Sequence, residues 1–188
     1  MTLVSVLGYA KSGKTTFVET MVRALADRGE HITVVKTGGS GHRSDHRGGV
    51  SPTPYSEFPD SRRCAAAGAQ LSLFWSPQGL VEDCASGPRI VYPQALPERG
   101  DFFDGWLTLL PPDLRARIDC SSWVIIEGRP VMGAWVVQLG TDGELKYPRL
   151  HTHYRISRHE DIPSTVRSLI DHGLEALPAQ GGTHAGKE

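Results

Sequence analysis

One stretch constrains this chain more than any other: Gly8-Tyr9-Ala10-Lys11-Ser12-Gly13-Lys14-Thr15-Thr16, placed directly after the apolar run Leu3-Val4-Ser5-Val6-Leu7. It fits the pattern G-x-x-x-x-G-K-[ST], and each fixed position has a physical reason. Gly8 and Gly13 allow the tight curl that turns backbone N–H groups inward, so that Ala10, Lys11, Ser12, Gly13 and Thr16 can line an anion-binding nest. Lys14 is expected to reach the β- and γ-phosphates of a nucleotide, and Thr15 to offer its hydroxyl to Mg²⁺. A helix starting here adds its positive end to the same phosphates.

The flanking elements tighten the assignment. Phe17, Val18, Met21, Val22, Leu25 and Ala26 recur at helical spacing, and Gly29 follows Arg28 as a stop. The run His31-Ile32-Thr33-Val34-Val35-Lys36 reads as a second strand. Strand, helix and strand at this separation form a βαβ unit, which requires parallel pairing and a right-handed crossover. The fold class expected is therefore α/β: a P-loop nucleoside triphosphatase with a central, mostly parallel sheet flanked by helices, its nucleotide at the carboxyl ends of the strands.

Residues 37–59 break the pattern. They hold Gly38, Gly39, Gly41, Gly48, Gly49, Pro52, Pro54 and Pro59, with His42, Arg43, Asp45, His46 and Arg47 among them. This reads as a long loop beside the phosphates, either a switch-like or substrate-facing segment or a surface insertion. Beyond it the sequence predicts a short helix from Asp60 or Ser61 through Ala67, closed by Gly68, and a strand over 70–75 followed by a turn at 76–79. A weak strand at 89–92 precedes a helical segment over 102–110, stopped by Pro111-Pro112, and a further turn of helix from Asp113 through Ile118. Strands follow at 123–127, 134–139 and 154–156, with a turn at 140–143. Asp161 is expected to cap a last helix, with Pro163 in its first turn and Gly173 closing it. The organisation expected is one domain over 1–178 and a disordered tail over 179–188.

A phosphate loop needs an acidic partner for Mg²⁺ at the end of a neighbouring strand. Glu127 fits, because Trp123-Val124-Ile125-Ile126 precede it and Gly128 lets the chain turn away. Its carboxylate can hold the metal through a water or orient an attacking water; the plainer alternative is a strand that merely ends in glutamate. Asp60, Asp45 and Asp104 are further acidic candidates that spacing does not rank. Lys14 and Glu127 are thus the candidate catalytic residues, and Thr15, Glu127 and Asp60 the candidate metal ligands.

Composition narrows the partners. The 20 basic and 21 acidic residues leave a net charge of −1, which speaks against nucleic acid. Cys64, Cys84 and Cys120 lack metal-type spacing and are odd in number, as expected for reduced thiols. With no signal-peptide pattern at the N-terminus and no stretch long enough to span a bilayer, a cytoplasmic protein is expected.

Taken together, residues 8–16, Lys36, Asp60-Ser61 with Ala67-Gly68-Ala69, and Ile126-Glu127-Gly128 resemble the MobB-type GTPases, molybdopterin-guanine dinucleotide biosynthesis protein B. That family carries a phosphate loop, a strand ending in lysine, a D-S-x5-A-G-A element and a later strand ending in E-G. The resemblance implies a Mg²⁺-dependent GTP-binding protein with weak GTPase activity that assists conversion of molybdopterin to its guanine dinucleotide form. It also implies a homodimer working beside the nucleotidyltransferase of that pathway. The chain departs from the family after Lys36, where Thr37-Gly38-Gly39-Ser40 replaces a His/Thr-rich segment and His42, Asp45 and His46 come later.

Base choice stays open between GTP and ATP. No N-K-x-D loop is present; Asp142, in Thr141-Asp142 after a strand, could bond the guanine edge, and a hairpin turn explains it equally well. A small-molecule kinase with the 37–59 loop as acceptor pocket is one alternative function. A nucleotide-switched adaptor or metallochaperone is another. His151 and His153 share a side if extended but complete no zinc set, and Trp75, Trp106, Trp123 and Trp135 read as core or interface residues. Arg43, Arg47, Arg62 and Arg63 could meet an anionic substrate or form an ordinary solvated face.

Overall fold

The computed structural model describes residues 1–38, 59–85, 90–97, 103, 105–140 and 145–176. Among the described residues eight strands form one sheet: β1 (Thr2–Gly8), β2 (Ile32–Thr37), β3 (Leu71–Ser76), β4 (Gly79–Glu82), β5 (Ile90–Tyr92), β6 (Trp123–Glu127), β7 (Trp135–Leu139) and β8 (Tyr154–Ile156). Their order is β5-β4-β3-β2-β6-β1-β7-β8. Pairing is parallel from β3 through β8, and only the β3-β4-β5 edge is antiparallel. The expected class, an α/β protein with a central, mostly parallel sheet flanked by helices, is what the chain adopts.

Helices α1 (Lys14–Ala26), α2 (Pro59–Ala66) and α4 (Ile162–Ala176) cover one face, and α3 (Pro112–Asp119) lies on the other. The alternation of the central strands makes both layers. Val4, Val6, Ile32, Val34, Trp123 and Ile125 point into the core with Phe17, Val18, Met21 and Leu169. Val35, Leu73, Trp75, Val124 and Ile126 point the other way, onto Leu114, Ile118 and Trp106. Strands apolar on both sides are what a two-sided parallel sheet demands. Trp75, Trp106 and Trp123 are core residues as expected, while Trp135 is half-buried at the β8 edge.

Three sequence expectations need correction. The turn expected at 76–79 is present, but the stretch after it, for which the sequence predicts no strand, forms β4, four residues long and stabilised by antiparallel pairing with β3. The helical segment expected over 102–110 is, in its described part, a single 3₁₀ turn at Trp106–Leu109. It is introduced by Gly105 at φ 64, a left-handed turn that breaks any helix entering it. Gly173 does not close α4, which continues to Ala176. Its lack of a side chain serves packing instead: a Cβ there would stand 2.2 Å from the fully buried Trp123 ring. Asp161 lies in the 3₁₀ turn His159–Asp161 that leads into α4, its carboxylate bonded by Arg158 at 3.2 Å.

The Trp123–Gly173 contact sets one effect against another. Replacing a mid-helix glycine by alanine gains at most about 1 kcal/mol of helix propensity. Forcing a methyl into a filled core costs about 1–3 kcal/mol. Gly173→Ala is therefore expected to lower the urea midpoint; a raised midpoint would show that the Trp123 ring yields without cost.

Candidate functional site

The loop between β1 and α1 has the geometry its glycines require. Gly13 caps α1 at φ 91, and Lys11 sits at φ 64, so left-handed residues alternate along the loop. Such alternation turns successive N–H groups to one side, the concave arrangement that binds anions. The Gly13 conformation is one that a side chain resists, and a Cβ there would also stand 2.5 Å from His159 Nε2. At Gly8 a Cβ would meet the Leu139 carbonyl at 2.6 Å and Ser12 Oγ at 2.5 Å, so the loop's base closes only over a bare backbone. Ser12 Oγ is buried without a hydrogen-bond partner among the described residues. A buried hydroxyl in that state suits a loop whose partner is a ligand. Lys14 folds back over the loop, its ammonium donating to the Tyr9 carbonyl at 2.5 Å. Ala10, Lys11 and Thr16 are exposed.

The acidic partner stands directly behind. β6 lies between β1 and β2, with Glu127 in register with Val6 on one side and Lys36 on the other. On β6 the residues Trp123, Ile125 and Glu127 alternate onto the α1 face, so the last of them meets the start of α1. Thr15 Oγ1 lies 3.5 Å from Glu127 Oε1. Glu127 is only 4% exposed, and a carboxylate so buried needs positive charge nearby. Lys36 supplies it, with Nζ 3.3 Å from Glu127 Oε1 and 3.3 Å from Thr15 Oγ1. Thr37 fixes the backbone, its hydroxyl donating to the Glu127 carbonyl at 2.9 Å. The hydroxyl and carboxylate oxygens are hard donors of the kind Mg²⁺ takes. Thr15, Lys36 and Glu127 therefore converge at the end of β6, while the Lys14 ammonium is turned to the Tyr9 carbonyl.

Other candidates are placed differently. Asp60 lies in the first turn of α2. Its neighbour Ser61 is buried and structural: its hydroxyl donates to the carboxylate of buried Asp83, and its carbonyl accepts from Ser72 Oγ at 2.7 Å. Arg63 pairs with Glu19 of α1, and Arg62 is exposed. Asp142, Asp45, Asp104, His42, His46, Arg43 and Arg47, together with the 179–188 tail, lie outside the described residues. Lys36 enters the sequence reading only as the strand-ending lysine of the family resemblance, and its contacts, like those of Thr37, follow from no spacing rule. All three cysteines are free thiols, with Cys64 buried and Cys120 exposed. Among the described residues no helix is long and apolar enough to cross a membrane.

Residues 3–87 match the family model described as Molybdopterin guanine dinucleotide synthesis protein B. The MobB resemblance is thus borne out over the phosphate loop, Lys36 and the Asp60-Ser61 element, while Glu127 lies beyond the matched residues. Solved structures similar to the chain include two MobB proteins. One is the X-ray crystal structure of a MobB protein homolog from Bacillus stearothermophilus, 18% identical, covering 93% of this chain and 99% of that one, with a TM-score of 0.48. The other is the crystal structure of Bacillus subtilis MobB, 19% identical, covering 96% and 100%, with a TM-score of 0.46. No curated protein matches the chain.

His151, His153 and His172 gather at the opposite end of the sheet. Trp135, His151, His153, Tyr154, His172 and Glu175 border an open concavity of about 740 Å³. The His151 and His153 rings are 4.8 Å apart. Among the described residues no group of three or more His, Cys, Asp or Glu is arranged to hold a metal ion. His153 extends the β7–β8 pairing instead. Its N–H donates to the Val136 carbonyl at 2.9 Å, and its Nδ1 accepts from the Val136 N–H at 3.1 Å.

Burial first, and the nearby His151 second, hold His153 below the ordinary imidazole range. The folded chain therefore gives up this proton more readily than the unfolded chain does. Its contribution to stability is intact above the unfolded value, about 6.5, and is lost as pH falls through the lower folded value. The urea midpoint should fall on acidification below about pH 6.5, and less steeply in His153→Gln. Identical slopes in the two proteins would show that His153 plays no part.

Proposed function

We propose that this chain is a Mg²⁺-dependent GTP-binding protein that hydrolyses GTP slowly and assists molybdopterin guanine dinucleotide formation. The observation that carries the reading is the meeting of Thr15 and Glu127 behind a phosphate loop, at the carboxyl end of adjacent parallel strands. The family match over residues 3–87 directs that chemistry to the molybdenum cofactor.

In this reading the amides of Gly8, Ala10, Lys11, Ser12, Gly13 and Thr16 cradle the phosphates, and Lys14 leaves the Tyr9 carbonyl for the β- and γ-oxygens. A charged oxygen is a stronger acceptor than a neutral carbonyl, so the exchange is downhill. Thr15 and Glu127 would hold Mg²⁺, with Asp60 as a further acidic neighbour. The metal, when bound, neutralises charge on the transferring phosphoryl group. Glu127, buried and oriented by Thr37, accepts a hydrogen bond from an attacking water. Asp142 is proposed to read the guanine edge. A homodimer and a molybdenum cofactor nucleotidyltransferase are the proposed partners.

Titration calorimetry with GTP and ATP, with and without Mg²⁺, tests the binding, and phosphate release tests the turnover. GTP is expected to be hydrolysed at roughly 10⁻⁴ to 10⁻² s⁻¹, the range of unassisted P-loop GTPases. Lys14→Ala should cut this by about a hundredfold or more. Failure to bind any purine triphosphate would dispose of the proposal, and γ-phosphate appearing on an organic acceptor would replace it with a kinase.

A further inference from the structure

Lys36 is the residue of this site whose part the phosphate-loop pattern does not explain. It ends β2 one strand away from the loop, paired in register with Glu127. Two neighbours in register on parallel strands send their side chains to the same face. Here that face is the one Val34 and Ile125 share with α1. The Lys36 stem thus rises beneath the start of α1, with its side chain 19% exposed beside a Glu127 side chain that is 5% exposed.

Three contacts close a triangle. Lys36 Nζ is 3.3 Å from Glu127 Oε1 and 3.3 Å from Thr15 Oγ1, and those two oxygens are 3.5 Å from each other. A hydroxyl and a carboxylate at that separation make at best a weak hydrogen bond. The ammonium, shared between them, is what draws the pair together. It stands where a cation held jointly by these two oxygens would stand. A metal ion bound to the same two oxygens would stand against that ammonium, and two like charges so close repel each other.

We infer that Lys36 is the resident counter-ion of the Thr15–Glu127 pair and competes there with a divalent metal ion. The inference rests on the reading of Thr15 and Glu127 as the metal-holding pair. It deepens that reading by making metal affinity depend on a residue outside the phosphate loop. Removing one partner of a buried ion pair leaves an uncompensated charge, and a cation from solution is then the natural replacement. A lysine with only a structural role, closing the strand ends, would leave a damaged protein that metal does not repair.

The test uses the full chain without nucleotide, with Mn²⁺ affinity read by electron paramagnetic resonance and thermal midpoints recorded with and without Mg²⁺. Wild-type protein should bind Mn²⁺ weakly and keep its midpoint when Mg²⁺ is added. Lys36→Met should bind Mn²⁺ about tenfold tighter or more. Its lowered midpoint should recover on adding Mg²⁺. The double variant with Glu127→Gln should lose both the gain in affinity and the recovery. Lys36→Gln, neutral but still able to hydrogen-bond, gives the same reading if the methionine variant does not fold. Mn²⁺ affinity at or below the wild-type level in the folded Lys36 variant overturns the inference. If GTP is hydrolysed while that affinity is unchanged, only the counter-ion role falls. If the Lys36 effect appears but no purine nucleotide binds, the counter-ion role stands and the proposed function falls.

Discussion

A carboxylate that is 4% exposed at the end of a central strand has to be answered by positive charge. The arrangement of the whole strand-end region follows from that demand. Glu127 cannot turn to solvent, because β1 and β2 flank it and α1 covers its face. Lys36 answers it from β2, Thr15 touches it from α1, and Thr37 holds its backbone. Removing one member of such a buried pair generally costs about 3–5 kcal/mol, a large share of the stability of a chain this size. The same groups that would serve a nucleotide thus also bind the strand ends to α1.

This coupling explains which parts of the site can be read from sequence. The phosphate loop is legible because its geometry is local: fixed glycines, a preceding strand and a following helix lie within one short stretch. Glu127 is legible because five buried residues ending in a carboxylate and a glycine are unusual in themselves. The role of Lys36 is not, because it depends on strand order. Sequence gives β1, α1 and β2 as a βαβ unit, but nothing in the spacing says that β6 enters between β1 and β2. Only that insertion brings Lys36 and Glu127 into register, across roughly ninety intervening residues.

The misread elements have the same origin. Gly173 has the composition of a helix stop, yet α4 continues through it because Trp123, on β6, occupies the space a side chain would need. β4 is four residues long and carries no periodic signal of its own; it exists because β3 offers it an edge. The aromatic run at Phe103 and Trp106 has helical spacing, but the Gly105 turn lets both rings stack with each other instead, 6.0 Å apart, and Phe103 meet Trp75 edge-on at 5.4 Å. In each case packing against a neighbouring element or ring overrides a local preference, as tertiary packing commonly does.

The segment leading into α4 returns to the loop between β1 and α1. The 3₁₀ turn His159–Asp161 leads from β8 into α4 and places His159 Nε2 within 2.5 Å of where a Gly13 side chain would begin. α4 then packs along α1 in the shared core of Val18, Val22, Val166 and Ile170. Gly13 is consequently required twice, once for its left-handed backbone and once for the imidazole above it. The phosphate-loop pattern accounts only for the first requirement. The second ties the loop's conformation to the docking of α4, so that the loop is braced both by Glu127 and Lys36 at Thr15 and by the turn at His159. A loop with both supports has its N–H groups oriented in advance, and donors fixed in advance bind an anion more strongly than donors that must first be ordered.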